Sequence, residues 1–323
     1  MTLGIGQAQM NVLVVTNMYP SERRPYQGIF VRDQVEALRA AGVGVDVLHI
    51  DNADKLNYFR AFPELLHKIR QTRYDLIHAH YVHCGWLARM QLRLPVVVSS
   101  HGSDTLGYEG WLLRQLHGLV DAVTITSRQN QHRIGLPDTY LLPCGVDTNL
   151  FKPKDQREAR LELGWDPGRR VMLYVGRDSP LKRLDVLREA HALVAERRDD
   201  VDLVLATAVA HEQIPTFMNA ADVFVFASET EGAPVVIKEA LACNLPVVSV
   251  DVGDVRELIS GVDQCFICER NPDSVAEHVL RVLETSRRSK GRSVALEFSI
   301  DKMTAKLIGI YERVLLKKKT RRS

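Results

Sequence analysis

Short apolar runs alternate with helical patterns along nearly the whole chain, and this alternation limits the fold more than any other feature. Near-continuous apolar runs of this length are typical of parallel strands buried on both faces. The first series of runs is MNVLVVTN (10–17), VDVLHI (45–50), DLIHAHY (75–81), PVVVSSHG (95–102) and DAVTITS (121–127). Helical patterns such as GIFVRDQVEALRAAG (28–42) separate them. This order predicts parallel β-strands joined by helices.

The same pattern restarts after YLLPCGVD, which predicts a second domain of the same class. The second series of runs is RRVMLYVGR (169–177), VDLVLAT (201–207), DVFVFAS (222–228), PVVSVD (246–251) and CFIC (265–268). A chain of 323 residues is too long for one ordinary core. We therefore predict an α/β protein with two Rossmann-like, doubly wound parallel sheets. Turn formers in PCGVDTNLFKP (143–153) place the domain boundary, which we assign between residues 1–147 and 148–300.

The composition excludes several classes of protein. The chain has 42 basic and 40 acidic residues, so its formal net charge of +2 gives no reason to expect a nucleic-acid partner. The sequence contains no apolar run of transmembrane length. Five cysteines without framework spacing indicate a reducing compartment, and a cytoplasmic protein is expected. Cys265 and Cys268 would point to opposite faces of a strand, which disfavours a metal or redox site there.

Both ends of the chain carry local features. Residues 1–9 precede the first predicted strand, and we expect them to be a dispensable leader. An apolar helical face predicts a packed last helix from about Asp301, with Met303, Leu307, Ile310 and Val314 on that face. Five basic residues follow between Lys317 and Arg322. They form either a solvated tail or a peripheral contact with the anionic cytoplasmic face of a membrane.

An acidic residue among apolar neighbours is the most unusual feature of the second domain. The segment SETEGAPVVIKEALACNLP (228–246) contains Glu231 and Glu239. If the helix begins at Pro234, where proline is well tolerated, the residues three and four positions from Glu239 are all apolar. A buried, unpaired carboxylate is costly or becomes protonated. Glu239 therefore requires a partner, which is either a ligand or another group of the protein.

Other polar residues follow the predicted strands, at the carboxyl ends where open α/β sheets bind ligands. They are Gly28 before the first helix, His101, Gly102 and Asp104 in SSHGSD, Arg177 and Lys182 in VGRDSPLKR, and Glu231 and Gly232 before a later helix. Each alone has an ordinary explanation as a core histidine, a surface charge or a turn glycine. Together, two cations and a helix N-terminus suit a diphosphate, and an inward carboxylate suits a vicinal diol. The set predicts a nucleotide-sugar site.

These residues resemble a known family, the retaining glycosyltransferases of family 4, which have the GT-B architecture of two Rossmann-like domains facing a cleft. The similar stretches are GIFVRDQVEALRAAG, HGSD, PCGVDTNLFKP, VGRDSPLKR and EGAPVVIKEALACNLPVVSVDVGDVRELI. They are distributed between about residue 10 and residue 315. The most specific is the pair Glu231 and Glu239, separated by seven residues and followed by a PVV-type strand.

The resemblance implies transfer of a sugar from a nucleotide diphosphate sugar, such as a UDP- or GDP-sugar, to an acceptor hydroxyl with retained configuration. It implies that His101 lies beside the transferred sugar and that Glu231 contacts the donor sugar, as catalytic residues. Glu239 would bind the ribose hydroxyls. The implied diphosphate-binding residues are Arg177, Lys182, Gly232, Ala233 and Val235, and the implied acceptor and donor loop residues are Gly28 and Asp104. The last helix, 301–318, would complete the first domain.

The chain departs from the family pattern in two places. PCGVD leaves Cys144 where the family commonly has an asparagine-containing turn. Between VDLVLA (201–206) and HEQIPTFMNAADV (211–223), the four residues TAVA replace a glycine-bearing loop, a helix and another strand. About one strand–helix unit, on the order of 30 residues, is therefore missing. That unit normally helps line the base pocket, so its loss bears on donor binding and on base choice.

No metal cofactor is expected, because Arg177, Lys182 and the amides near Gly232 suit the charge of a leaving diphosphate without one. Three other functions stay open. His78, His80 and His83 in HAHYVH suggest a metallohydrolase. The missing unit suggests a non-catalytic binding or scaffold protein, and the architecture also suits a GT-B epimerase or phosphorylase. The acceptor is not specified by the sequence, and the apolar residues of DKLNYFRAFPELLHKIRQ (54–71) face either lipid or core.

Overall fold

The computed structural model describes residues 10–22, 24, 26–51, 54 and 56–320. The expected leader at residues 1–9 and the last three residues of the basic end lie outside this part of the chain. The chain divides into two compact units. Unit 1 comprises Met1–Pro143 and Ile300–Ser323, and unit 2 comprises Cys144–Ser299. The sequence predicted boundaries after residue 147 and after residue 300, whereas the two units divide after residue 143 and after residue 299.

Unit 1 is built on a parallel sheet whose strands are ordered β2-β1-β3-β4-β5-β6. The strands are β1 Asn11–Thr16, β2 Gly44–His49, β3 Leu76–His80, β4 Val96–Ser100, β5 Ala122–Ile125 and β6 Tyr140–Leu141. The first five correspond to the apolar runs of the sequence. The two-residue strand β6 was not predicted, because two residues are too few for a periodic pattern.

Helices cover both faces of the unit 1 sheet. They are α1 Ile29–Ala40, α2 Leu56–Gln71, α3 Val82–Arg89, α4 Gly107–His117, α5 Arg128–Ile134 and α13 Ile300–Thr320. Alternate residues of β1 belong to different hydrophobic clusters, with Leu13 in one and Val12 in the other. The face of α13 predicted to pack is buried at Met303, Leu307, Ile310 and Val314. The inner strands β1, β3, β4 and β5 are therefore covered on both faces, which explains their nearly uninterrupted apolar sequences, whereas the edge strands β2 and β6 are only partly buried.

Unit 2 has a second parallel sheet, with its strands in the order β11-β10-β9-β7-β8. The strands are β7 Arg170–Val175, β8 Val201–Ala206, β9 Val223–Phe226, β10 Val247–Val250 and β11 Phe266–Cys268. The helices are α6 Gln156–Leu163, α7 Leu184–Ala195, α8 Ile214–Ala220, α9 Val235–Ala242, α10 Val255–Ile259, α11 Pro272–Thr285 and α12 Arg292–Glu297. One continuous apolar cluster fills this unit.

Strand β8 lies at the edge of the unit 2 sheet and pairs only with β7 among the described strands. Its four central residues are half-buried, whereas those of β7 are buried. The four residues after β8 lead directly into a 3₁₀ turn at His211–Gln213 and then into α8. This short connection therefore brings residue 211 to the carboxyl end of the sheet, where α9 also begins after β9, two strands away from β8.

Candidate functional site

The loop after β7 places the predicted cation Arg177 at the carboxyl end of the unit 2 sheet. Arg177 is exposed, and its guanidinium forms no ion pair with any residue that the structure describes. The hydroxyl of Tyr174 donates a hydrogen bond to the Arg177 carbonyl at 3.0 Å. The pKa of Tyr174 is raised, mainly by burial and to a smaller extent by the nearby carboxylates of Glu231 and Asp178. Tyr174 thus stays protonated and holds the start of this loop.

Lys182 and Glu231, which the sequence assigned to two parts of a donor, form an ion pair. The Lys182 ammonium is hydrogen-bonded to Glu231 Oε1 and lies 5.6 Å from the centre of the Phe226 ring. Their side chains are 20% and 16% exposed. A backbone hydrogen bond of 2.8 Å from Glu229 to Leu181 joins the two loops. The pair is therefore partly buried but still open to a ligand.

Helix α9 begins at Val235, with Pro234 as its N-cap residue. Proline has no side-chain acceptor, so no capping side chain occupies the first turn. The preceding residue Gly232 and the N-cap Pro234 pack closely on Gly253, where a Cβ atom would lie 2.9 Å from the Gly232 carbonyl oxygen. The predicted anion-binding segment thus presents a helix N-terminus at the same sheet edge as Lys182.

Glu239 lies on α9 among buried residues, as its apolar neighbours predicted, and is 7% exposed. Its protein partner is His211, whose Nε2 lies 2.9 Å from Glu239 Oε1. The side chain of His211 is 15% exposed and that of Glu239 is 9% exposed. Lys182, one of the two cations predicted for the diphosphate, pairs with Glu231 and not with Glu239. The signal for His211 in the sequence was its position, because it is the first polar residue after the strand β8 and the short TAVA connection.

Lys238, the residue before Glu239, is a second buried charged residue on α9 and was not among the predicted site residues. Lys238 is fully buried, and its ammonium lies 3.0 Å from Asp254 Oδ2. The same ammonium lies 5.5 Å from the centre of the Phe298 ring. The pair joins α9 to the segment that precedes α10. A lysine within a mostly apolar helix was the available signal, because such a charge requires a partner.

In unit 1, the predicted catalytic residue His101 follows β4 and contacts another histidine. His80 Nδ1 and His101 Nε2 are 2.9 Å apart, and the two rings are stacked with an interplanar angle of 9°. The rings of Phe30 and Tyr81 each lie 4.8 Å from that of His101. Burial lowers the pKa of His101 to about 3 and also lowers the pKa of His80. Both imidazoles are therefore neutral near pH 7.

His78 belongs to a buried hydrogen-bonded chain. Its Nε2 lies 2.7 Å from Ser99 Oγ, and its Nδ1 lies 2.7 Å from the hydroxyl of Tyr311 on α13. Ser99 continues the chain to Thr124 at 2.6 Å. His83 contacts Glu109 at 3.2 Å instead of joining this group. Both ring nitrogens of His78 are thus occupied by protein groups, and no cluster in the described part of the chain suits a metal ion.

Asp104 and Gly28 shape loops in unit 1. Asp104 is fully buried, and its Oδ1 accepts hydrogen bonds from Ser100 Oγ at 2.7 Å and from the His101 amide at 3.0 Å. Burial raises the pKa of Asp104 to about 6. Gly28 has a φ of 71°, and a Cβ atom there would lie 2.3 Å from the Met18 carbonyl carbon. Asp104 therefore holds the turn beneath His101, and Gly28 allows the first loop to fold against its own backbone.

Helix α2, Leu56–Gln71, carries the apolar residues for which the sequence left two interpretations open, core or lipid. Leu65 is fully buried and Phe62 packs against the core. Leu56 and Phe59 are 55% and 75% exposed. None of the described helices has the length and apolar composition required to cross a bilayer. The helix therefore contributes to the core through one face and exposes two apolar side chains on the other.

Two family models match the chain, one in each unit. The model described as Glycosyltransferase Family 4 matches residues 3–150. The model described as Glycosyl transferases group 1 matches residues 204–285. The second match includes the short connection after β8, the segment with Glu231, and helix α9 with Glu239.

Curated relatives carry glycosyltransferase names. The chain is 25% identical to TuaC of Bacillus subtilis (strain 168), named for teichuronic acid biosynthesis, across 84% of this chain and 89% of TuaC. That alignment spans 345 positions, more than the 323 residues of this chain, so the chain has gaps against TuaC. It is 29% identical to the D-inositol 3-phosphate glycosyltransferase of Segniliparus rotundus, across 59% of this chain and 55% of that relative.

Solved structures share the fold of this chain. Sucrose-phosphate synthase from Thermosynechococcus elongatus has a TM-score of 0.82 at 20% identity, over 96% of this chain and 100% of that one. Anabaena HepE, solved with UDP and glucose, has a TM-score of 0.68 at 18% identity, over 97% of this chain and 100% of that one. The two parallel-sheet units are those of the GT-B architecture. The chain thus carries a Glycosyltransferase Family 4 domain and a Glycosyl transferases group 1 domain, and it is a glycosyltransferase of GT-B fold.

Proposed function

We propose that this enzyme transfers a sugar, with retained anomeric configuration, from a nucleotide diphosphate sugar to an acceptor hydroxyl. The observation that carries the proposal is the buried carboxylate of Glu239 on α9, bonded through one oxygen to His211. A carboxylate accepts hydrogen bonds from both hydroxyls of a vicinal diol. Glu239 is therefore proposed to bind the donor ribose, which explains why an acidic residue occupies the buried part of a mostly apolar helix.

The remaining groups at this edge of unit 2 suit the donor diphosphate. Arg177 is exposed and forms no ion pair within the described residues, Lys182 is paired with Glu231, and α9 presents an uncapped N-terminus. Positive groups and helix amides stabilise the charge that develops on a leaving diphosphate. We assign this role to Arg177, Lys182 and the amides near Val235, and we propose that Glu231 contacts the donor sugar. Anabaena HepE, which shares the fold, was solved with UDP and glucose.

The neutral histidines of unit 1 suit hydroxyl groups instead of phosphates. His101 is uncharged near pH 7, and His80 contacts its Nε2. A neutral imidazole donates or accepts a hydrogen bond without attracting an anion. We propose that His101 contacts the transferred sugar. The acceptor is then a hydroxyl compound that attacks from the side on which the diphosphate leaves, which accounts for retention without a covalent nucleophile.

The proposed donor site is tested by a thermal-shift panel of nucleoside diphosphates. A ligand at 100 times its Kd stabilises the folded protein by about 2.7 kcal/mol. One or two bases are expected to stabilise the protein, and Glu239→Ala is expected to abolish the shift. Glu189→Ala, an exposed residue of α7, is the matched control. An unchanged shift in Glu239→Ala would remove the assignment of Glu239. Nucleotide binding without release of nucleotide from any sugar donor would instead favour the scaffold function.

A peripheral membrane contact is the second part of the proposal, and the end of α13 supports it. Lys317 and Lys318 line a groove of about 360 Å³ together with Arg89 and Leu92 of unit 1. Lys318 donates a hydrogen bond to the carbonyl of Arg93 at 2.6 Å, which fixes the basic end against this surface. Leu92 is 79% exposed. Cations around an exposed apolar residue suit the interface of an anionic bilayer.

Sedimentation with vesicles tests the membrane contact. The protein is expected to bind vesicles containing phosphatidylglycerol and to remain in solution with phosphatidylcholine alone. Lys317→Glu with Arg89→Glu should abolish binding, since each cation near an anionic surface contributes about 1 kcal/mol. Lys154→Glu and Arg157→Glu in unit 2 provide a control of equal charge change. Equal binding to both kinds of vesicle would contradict the proposal.

A further inference from the structure

We propose that His211 is a positioning residue for Glu239, which it orients so that the carboxylate selects a donor with intact ribose hydroxyls. The inference rests on the proposed function of Glu239 as the ribose-binding residue. It adds a residue that lies in the shortened segment of this chain, immediately after TAVA. The short connection after β8 thus supplies a further group at the proposed donor site.

The contact between the two side chains makes the two oxygens of the Glu239 carboxylate different, because only one of them is bonded to His211. His211 Nε2 lies 2.9 Å from Glu239 Oε1. The carboxylate of Glu239 makes no other hydrogen bond within the described residues, and the side chain retains 9% exposure. One oxygen is therefore held by the protein, while the other is left to accept ligand hydroxyls. Fixing a ligand-binding group by a neighbouring hydrogen bond reduces the ordering cost of binding.

Local packing holds His211 itself in place. It is the first residue of a 3₁₀ turn that is closed by a hydrogen bond of 2.9 Å from Gln213 to Ala210. Its ring lies 5.3 Å from the ring of Phe151, which is fully buried. The turn continues directly into α8, whose first residue, Ile214, is also buried. The imidazole is therefore anchored by the fold and not by Glu239 alone.

The chemistry requires a proton on Nε2 of His211, because a carboxylate can only accept hydrogen bonds. A glutamine at this position has an amide N–H at a similar reach and should preserve the contact. Phenylalanine has a similar ring and no donor, so it should leave Glu239 free to rotate. We predict that loss of the hydrogen bond between His211 and Glu239 weakens recognition of the ribose and leaves the strength of diphosphate binding unchanged.

Calorimetric titration with UDP, GDP and their 2′-deoxy forms tests this assignment. The protein is expected to prefer the better ribonucleotide over its 2′-deoxy form by roughly 10-fold or more, as for a hydrogen bond to a charged group. Glu239→Gln and His211→Phe should each reduce the preference to about 3-fold or less, while His211→Gln should retain most of it. His278→Phe, a histidine of α11 in the same unit, should leave the preference unchanged.

Different results overturn different parts of the proposal. If Glu239→Gln removes the preference and His211→Phe does not, the role of His211 is wrong and the ribose assignment of Glu239 stands. If His211→Phe weakens ribonucleotide and 2′-deoxynucleotide equally, His211 is not a positioning residue. If the unaltered protein binds neither nucleotide, or does not distinguish the two forms, both proposals fall. Should His211→Phe not fold, the shorter amide of His211→Asn must lose the preference that His211→Gln retains.

Discussion

The two units bury polar side chains in different ways, charged pairs in unit 2 and neutral hydrogen-bonded groups in unit 1. Lys182 pairs with Glu231, and Lys238 pairs with Asp254. In unit 1, burial lowers the pKa values of His78, His80 and His101 so that all three are uncharged near pH 7. The contrast follows the proposed ligands, since a diphosphate requires cations whereas a sugar hydroxyl requires neutral donors and acceptors.

Acidification should cause the largest difference in stability between the two units, because it destabilises unit 1 through its buried neutral histidines. The pKa values of His78 and His101 are lowered from 6.5 to about 3, so their contribution to stability is complete above pH 6.5 and is lost as the pH falls below it. His80 acts in the same direction, and Asp104, with its pKa raised to about 6, opposes them. Three lowered histidine pKa values outweigh one raised carboxyl pKa, so the free energy of unfolding is expected to decrease as the pH falls from 6 to 4.

Tryptophan fluorescence can follow each unit in that titration. The three tryptophans are Trp86 and Trp111 in unit 1 and Trp165 in unit 2. With Trp165→Phe the signal reports unit 1, and with Trp86→Phe and Trp111→Phe it reports unit 2. Unit 1 is expected to lose stability at the higher pH. Unfolding of both units at the same pH would show that the neutral histidines do not distinguish them.

Lys238→Met should cause the next largest change, a loss of about 3–5 kcal/mol in the free energy of unfolding of unit 2. The substitution leaves Asp254 buried without its cation. Urea unfolding followed by Trp165 measures the effect. The double variant Lys238→Met with Asp254→Leu should recover most of the loss, because an apolar pair of similar volume replaces a buried ion pair. If the single variant is as stable as the original protein, the pair is not structurally important.

Lys182→Ala should reduce kcat by roughly 100- to 1,000-fold, as is typical when one group that stabilises developing charge is removed. The change in stability should be small, since Lys182 lies at the open edge of unit 2 with a 20% exposed side chain. A steady-state assay of nucleotide release from sugar donors measures the loss. Lys154→Ala, an exposed lysine of the same unit, is the control. An unchanged kcat would show that Lys182 does not stabilise the leaving diphosphate and has only a structural role.

Tyr311→Phe should cause the smallest of these changes, a loss of about 1–3 kcal/mol in the stability of unit 1. The substitution removes the hydroxyl that meets His78 Nδ1 at 2.7 Å and leaves a buried nitrogen unsatisfied. Thermal unfolding of unit 1 measures the loss, with the 51% exposed Tyr26 changed to Phe as a control. Equal stability of both variants would mean that His78 finds another partner.

The paired charges of unit 2 illustrate the limits of prediction from sequence. Helical spacing was sufficient to predict that Glu239 faces inward, and apolar neighbours were sufficient to predict that it requires a partner. The identity of that partner was not predictable, because His211 lies 28 positions away and reaches Glu239 only through the short connection after β8. Lys238 was visible in the same helix, but Asp254 could not be assigned to it from spacing alone.

Periodicity by itself determined the class of fold, every strand of the two sheets except the two-residue β6, and the buried face of the last helix, since these depend on neighbours within a few residues. Tertiary structure alone decided which polar groups meet. Tyr311 reaches His78 across 233 positions, and His80 reaches His101 across 21. Such contacts arise from the packing of whole elements, and a local pattern carries no information about which distant element will lie beside it.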